Sequence, residues 1–323
     1  VIPFRGVYDG KNFKISNLKI TKPTQFLGLF GYVESGFTAE AGLANINLDG
    51  KIELASAING GGIGGLCGWL YKDSVDIGNQ VTEDSEGKYA KSLFAVNCNV
   101  DVDVTVEAAG NQPRVGGVFG YAFCATVDNV VNNGDVKVNS TSTVRVGGIS
   151  GQSNRVTFKN CTNNGNIEGK STVATVYAAG IVSVITWKNA NYTTIDNCVN
   201  NGKITGITTD KCVQVFVGGI GGGIWSSANP KVLNLAIKNC VNNGELYGET
   251  GEGTSSYAYV GGMMPYDNIA NTVIENCVNT VDPVTGMKSV GGNGGRAGGI
   301  VGVIYKGDNI IVKNSTTVGK VAG

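Results

Sequence analysis

Alternation with a period of two runs along the chain. Val100, Val102, Val104 and Val106 are separated by Asp101, Asp103 and Thr105, and Val136 and Val138 by Lys137. Successive side chains of a strand point to opposite faces, so such stretches predict half-buried β-strands. No segment has the spacing of a long amphipathic helix. Asn and Gly, the residues that turns select, punctuate the strands. The pattern also returns. Lys238-Asn239-Cys240-Val241-Asn242-Asn243-Gly244 has near copies from Lys159 to Gly165 and from Asp196 to Gly202, and shorter or altered ones at Asn129 to Gly134 and Glu275 to Asn279. Asn45-Ile46, Asn17-Leu18, Asn97-Cys98 and Asn314-Ser315 extend the column to nine. A word that returns every thirty to fifty residues or so is the mark of a solenoid.

A second landmark interleaves with the first: Gly, an aliphatic, a variable residue, then Gly. It stands at Gly28-Leu29-Phe30-Gly31, Gly65-Leu66-Cys67-Gly68, Gly117-Val118-Phe119-Gly120 and Gly148-Ile149-Ser150-Gly151. It continues at Gly180-Ile181-Val182-Ser183, Gly219-Ile220-Gly221-Gly222, Gly262-Met263-Met264-Pro265 and Gly299-Ile300-Val301-Gly302. This series resembles the GLUG-motif repeat family. The opening Phe4-Arg5-Gly6-Val7-Tyr8-Asp9-Gly10, with Ile15-Ser16-Asn17-Leu18-Lys19-Ile20, is similar to the segment that precedes those repeats. The resemblance covers almost the entire chain. It implies large surface or secreted proteins, adhesin-like ones among them, or repeats beside the catalytic domain of some secreted peptidases. Ser183 and Pro265 depart from the final Gly, which predicts a bend or altered turn in those two repeats.

The expected fold is therefore all-β: one right-handed parallel β-helix, or solenoid, of about nine coils with inserted loops, spanning residues 1–323. The chain opens without Met and reads as a segment of a longer one, with open ends that would allow end-to-end self-assembly. In such a stack, like residues form vertical files. Asn129, Asn160, Asn197, Asn239 and Asn276 are expected to form an inaccessible amide ladder bonded to the turn backbone and to each other. The following Asn-Gly pairs, such as Asn133-Gly134 and Asn243-Gly244, suit a left-handed corner. Cys161, Cys198, Cys240 and Cys277 share a slot with Cys98 and with aliphatics elsewhere, which predicts buried small hydrophobes rather than a disulfide framework. The motif aliphatics from Leu29 to Ile300 are expected to line the interior.

Composition narrows function more than it identifies it. The 323 residues contain 50 Gly, no His, and equal numbers of acidic and basic side chains. Without His, no His-dependent triad or His-bearing zinc site can be built. Zero net charge without charge runs argues against a nucleic-acid partner, and no apolar stretch is long enough to span a bilayer. Cys67, Cys124 and Cys212 lack zinc spacing, and Gly291-Gly292-Asn293-Gly294-Gly295 lacks the acid of a calcium roll. No metal or cofactor is expected.

Candidate chemistry lies in rings and loops. Counting from the motif Gly, offset four holds Tyr32, Trp69, Tyr121 and Tyr266, and offset six holds Tyr71, Phe123, Trp225 and Tyr305. Even offsets point outward when offset one points in, so these rings would form a face that stacks on sugars or docks protein. They would equally form a small secondary core under inserted loops. Excursions are expected at Tyr71 to Lys91, Trp187 to Thr194, Trp225 to Lys231 and Gly248 to Ser256. The carboxylates Asp101 and Asp103, or the loop acids Asp73, Asp76, Glu83, Asp84 and Glu86, are the candidates for glycoside chemistry. Asn139 and Asn191 are the accessible glycosylation triplets, whereas Asn160 and Asn314 belong to the ladder. The leading expectation is a non-catalytic adhesin or stalk module, extracellular or at the cell surface, partnered by a glycan or surface protein. The alternatives are a polysaccharide-degrading β-helix enzyme and a filament subunit.

Overall fold

The computed structural model describes residues 2–35, 40–56, 60–72, 93–109, 112–186, 191–209, 213–225, 233–253, 255–267, 271–281, 287–290, 293–305 and 309–318. Among them every helix or strand is a strand, in sheets of twenty, eight, six and two. One repeat shows the path. Thr157–Lys159, Thr162–Asn163 and Ile167–Ser171 lie in the large sheet, Val176–Ala179 in the eight-stranded one and Val182–Thr186 in the six-stranded one. The chain then re-enters the large sheet at Asn191–Asp196, directly beneath Thr157–Lys159. Each step pairs in parallel with its copy one repeat away: Val131 with Thr162, Thr162 with Val199, Val199 with Val241 and Val241 with Val278. The chain is all-β, with parallel strands in curled sheets, and its fold is β-helix-like.

The interior is made of the files that the pattern predicts. Leu66, Val118, Ile149, Ile181, Ile220 and Met263, each one place after a motif Gly, have no exposed surface. Complete burial stabilises each by about 1.5–3 kcal/mol. Cys98, Cys161, Cys198, Cys240 and Cys277 are buried in the slot occupied by Ile46 and Val130, and the described cysteines are free thiols.

Asparagine does more than the sequence suggests, and at different positions. The first Asn of each word is the left-handed corner: Asn17, Asn45, Asn97, Asn129, Asn160, Asn197, Asn239, Asn276 and Asn314 all have φ between 50° and 63°. Asn tolerates this region because its short amide bonds locally. The expected Asn-Gly corner is thus corrected: the left-handed residue lies four places earlier, at Asn160 rather than Asn164. Gly165, Gly202 and Gly244 are needed for close stacking instead, since a Cβ on any of them would lie 1.9 Å from the carbonyl oxygen of the copy above. Accessibility is corrected too. Asn129, Asn160, Asn197, Asn239, Asn276 and Asn314 are exposed, because an outer corner carries its side chain into solvent. Their amides still run from rung to rung, Asn129 Nδ2 donating to Asn97 Oδ1 at 2.9 Å and Asn197 to Asn160 at 2.7 Å.

The buried amide file is a different one, the Asn before Asn-Gly or its equivalent. Asn132 donates to Asn163, Asn163 to Asn200, Asn200 to Asn242 and Asn242 to Asn279, all at 2.8 Å, and none of the five has exposed surface. Each amide also donates to a turn carbonyl two residues on, as Asn163 does to Gly165 O at 2.8 Å. The two landmarks of the sequence meet here. A Cβ on the motif residue Gly148 would lie 2.3 Å from Asn163 Oδ1, so the side-chain-free position makes room for the amide across the interior.

The departures at Ser183 and Pro265 have different outcomes. Ser183 Oγ donates to Tyr177 O at 2.9 Å and the strand Val182–Thr186 continues through it. The six-stranded sheet ends at Ile224–Trp225, and Met264–Asp267 pairs instead with Val301–Ile304. Pro265 carries no N–H for the ladder, which accounts for a break on that side.

Candidate functional site

The motif turn folds the chain inward. With Ile149 in the core, the strands Val144–Gly147 and Ser150–Asn154 turn their outer faces toward each other. Only backbone fits in the crease: a Cβ on Gly147 would lie 2.2 Å from Ser150 O, and one on Gly151 2.4 Å from Val115 N. Beyond the crease, side chains from the eight-stranded and six-stranded sheets interdigitate along a seam.

At the N-terminal part of the seam six rings form one connected group. Trp69 stacks on Tyr71 at 5.6 Å and Tyr71 on Phe123 at 4.7 Å. Tyr32 and Tyr121 meet Trp69 edge-on at 6.1 and 5.3 Å, and Phe26 reaches Trp69 from the opposite sheet at 4.7 Å. Phe123 is buried and the other five are half-buried. Arg114 lies 5.7 Å over the Tyr121 ring, donates from Nε to Gln152 Oε1 at 2.7 Å and from Nη1 to Gly60 O at 2.8 Å. Burial pushes the Tyr121 phenol well above its ordinary value, with Tyr71 adding to it, and burial lowers Arg114. Arg145, 2% exposed, donates from Nη2 to Gln112 Oε1 at 2.9 Å. Burial first, and then the charge of Arg114, bring it down to about 10.

Tyr266 and Tyr305 belong to a second group, stacked on each other at 6.1 Å. Tyr266 meets Tyr259 edge-on at 5.2 Å, and Tyr177, Phe216 and Tyr259 form a parallel stack at 4.9 and 5.1 Å. Arg296 caps it, 4.8 Å over Tyr257 and 5.6 Å over Tyr259. The expected single outward column is therefore corrected. Its vertical files exist, Tyr32 pairing with Trp69 and Trp69 with Tyr121, but they continue through Gln152 and Val184, which separate the two groups. The rings also lean on the facing sheet rather than standing free, with Tyr305 the most exposed of those named at 49%. Trp225 pairs in register with Thr186, and its side chain lies outside the described residues.

One seam file was missed from sequence. Arg114, Arg145, Tyr177, Phe216, Tyr259 and Arg296 are consecutive partners in the eight-stranded sheet. All six stand three places before a motif Gly, a constant offset that would have found them.

The carboxylate candidates divide. The loop acids Asp73, Asp76, Glu83, Asp84 and Glu86 lie outside the described residues, as do positions 187–190 and 226–231 of the other excursions. Asp101 pairs in register with Asp49 on the outer face of the large sheet. Asp103 borders an open groove of about 400 Å³ lined also by Lys51, Glu53, Thr105, Lys137 and Glu168. Its Oδ1 accepts the backbone N–H of Asp135 at 3.0 Å, and Asp135 accepts that of Asn166 at 2.7 Å, so these acids tie one rung to the next. Among the described residues no His, Cys, Asp and Glu cluster has the arrangement of a metal site.

No family model matches the chain, and no curated protein matches it. Among solved structures it is similar to a Bacteroides ovatus protein described as a "putative immunoglobulin A1 protease". The superposition has a TM-score of 0.50 and 19% identity, and covers 98% of this chain and 70% of that one. At that identity the likeness concerns the fold.

Proposed function

We propose that the chain is a right-handed solenoid of about nine coils serving as an extracellular or cell-surface adhesion or stalk module. In this reading it binds a glycan or a surface protein along the aromatic seam and carries out no catalysis. The observation that carries the reading is the connected group Phe26, Tyr32, Trp69, Tyr71, Tyr121 and Phe123, five of whose rings are half-buried and packed ring against ring. Preset rings offer faces to sugars or apolar side chains at little ordering cost. The resemblance to GLUG repeats supports the same placement, and the engagement of Asp103 in rung-to-rung bonding supports a structural role for that acid.

The test is binding to immobilised glycans and surface-protein extracts by the wild type, Tyr71→Ala and Trp69→Ala, each verified as folded by circular dichroism. The reading expects at least a tenfold loss of binding in folded Tyr71→Ala. Retention of wild-type binding by both variants would remove the seam from the function, and turnover of a polysaccharide would overturn the non-catalytic assignment.

A further inference from the structure

The outer face of the large sheet carries a file whose charge changes sign at every rung. Asp128 lies opposite Lys159, Lys159 opposite Asp196, Asp196 opposite Lys238, Lys238 opposite Glu275 and Glu275 opposite Lys313. Beside it runs a second outward file of small or β-branched residues, Thr126, Thr157, Thr194, Ala236, Val273 and Ile311. Tyr192 projects from the same face and is 63% exposed. Within the charged file Glu275 pairs with Lys313 at 3.0 Å and more loosely with Lys238 at 3.9 Å, while Asp128 and Asp196 accept the amides of Asn160 and Asn239, both at 2.7 Å.

The geometry points to this face as the docking surface for a second copy of the chain, antiparallel to the first about a two-fold axis between Asp196 and Lys238. An even number of alternating charges is self-complementary under that operation. Asp128 falls opposite Lys313 of the second copy, Lys159 opposite its Glu275, and Asp196 opposite its Lys238. Sliding the copies by one rung sets like charges against like, and so does docking them in the same direction without a shift. Only the unshifted antiparallel arrangement pairs all six charges with opposites, so orientation and register are favoured by the full set, the task that surface charge performs best. A two-fold contact uses one patch on both subunits, which is what a self-complementary file provides.

Size sets the strength. Six rungs about 4.8 Å apart and three outward positions give roughly 550 Å² per copy, at the low end for specific interfaces. The dimer is therefore weak, concentration-dependent and salt-sensitive.

The alternation would also hold neighbouring rungs in place within one molecule, and charge exchange separates the two roles. Lys238→Asp sets like charges together both along the file and across the two-fold. The double exchange Asp196→Lys with Lys238→Asp restores opposite charges across the two-fold but leaves like neighbours along the file. Sedimentation equilibrium at up to about 200 µM, in about 50 mM and about 500 mM salt, reads the result. The expected outcome is a wild-type dimer at low salt that dissociates at high salt, at least tenfold weaker association for Lys238→Asp, and recovery in the double exchange. Thr194→Arg, in the central file, is expected to be monomeric and folded. A wild type that stays monomeric at low salt would overturn the proposal and leave the face to another partner or to solvent. Dimerisation indifferent to Lys238→Asp or to Thr194→Arg, or a double exchange as weak as Lys238→Asp, would overturn it as well.

Discussion

Three asparagines of one seven-residue word do three different jobs, and their substitution costs should rank accordingly. Asn200 is buried, receives a hydrogen bond from Asn163 and donates to Asn242 and Gly202. Asn200→Ala leaves the Asn163 donor and the Asn242 acceptor without that partner, which costs about 2–4 kcal/mol. Asn197 sits at φ 53°, so Asn197→Ala costs about 1–2 kcal/mol of backbone strain, most of which Asn197→Gly avoids. Asn201 is exposed, and Asn201→Ala costs about 0.5 kcal/mol. Urea titration of the three Ala variants and Asn197→Gly measures the ranking. The buried file also has an end. Asn132 Oδ1 is buried without a hydrogen-bond donor among the described residues, and Val100 stands above it in register. Val100→Thr would place a hydroxyl there with little change of shape. It is expected to be neutral or stabilising by up to about 1 kcal/mol, against the loss ordinarily caused by a hydroxyl in an apolar core. A denaturation midpoint lowered by Val100→Thr would contradict this account of the file's end.

At the scale of elements, the crease between the two smaller sheets and the thiol file make separate demands. Gly151→Ala would drive a methyl against Val115 N, opening the seam at a cost of about 1–3 kcal/mol. Trp69 and Tyr121 lie in the same seam, so near-ultraviolet circular dichroism should report the change. Burial raises two of the chain's thiols above their ordinary 9.0, Cys67 to about 12 and Cys98 to about 11. A folded-state value above the unfolded one gives stability that is complete below pH 9 and lost as pH rises through the folded values. The melting temperature is therefore expected to hold to about pH 8 and to fall between pH 9 and 12, less steeply in Cys98→Val. A neutral thiol reagent should label these cysteines only after unfolding. How much of these elements was legible follows from what each file shows in sequence. The interior files were, because Cys161, Cys198 and Cys240 recur at one position of one word. The burial of the second Asn rather than the first was not. Both are Asn, and the distinction depends on which one adopts the left-handed corner. The ring groups were half legible: parity identified the outward positions, but whether a neighbouring sheet folds over them depends on the inward motif turn, which composition does not reveal.

For the whole molecule, the account depends on repeats being neighbours in space in the order they occur in sequence. Each contacts mainly the rungs above and below, so local changes should spread by one or two rungs rather than across the chain. The file Asn99, Val131, Thr162, Val199, Val241, Val278 and Thr316 records this arrangement directly, since each is the in-register partner of the next. Nitroxide labels at Asn99 paired in turn with Val199, Val241 and Thr316 sample three, four and six steps of that file. Pulsed electron resonance on dilute samples is expected to give distances rising by about 5 Å per step, to roughly 29 Å for Asn99 and Thr316. Distances that do not increase with the number of repeats between the labels would contradict the stacked arrangement, and with it the files, ladders and seam built on it.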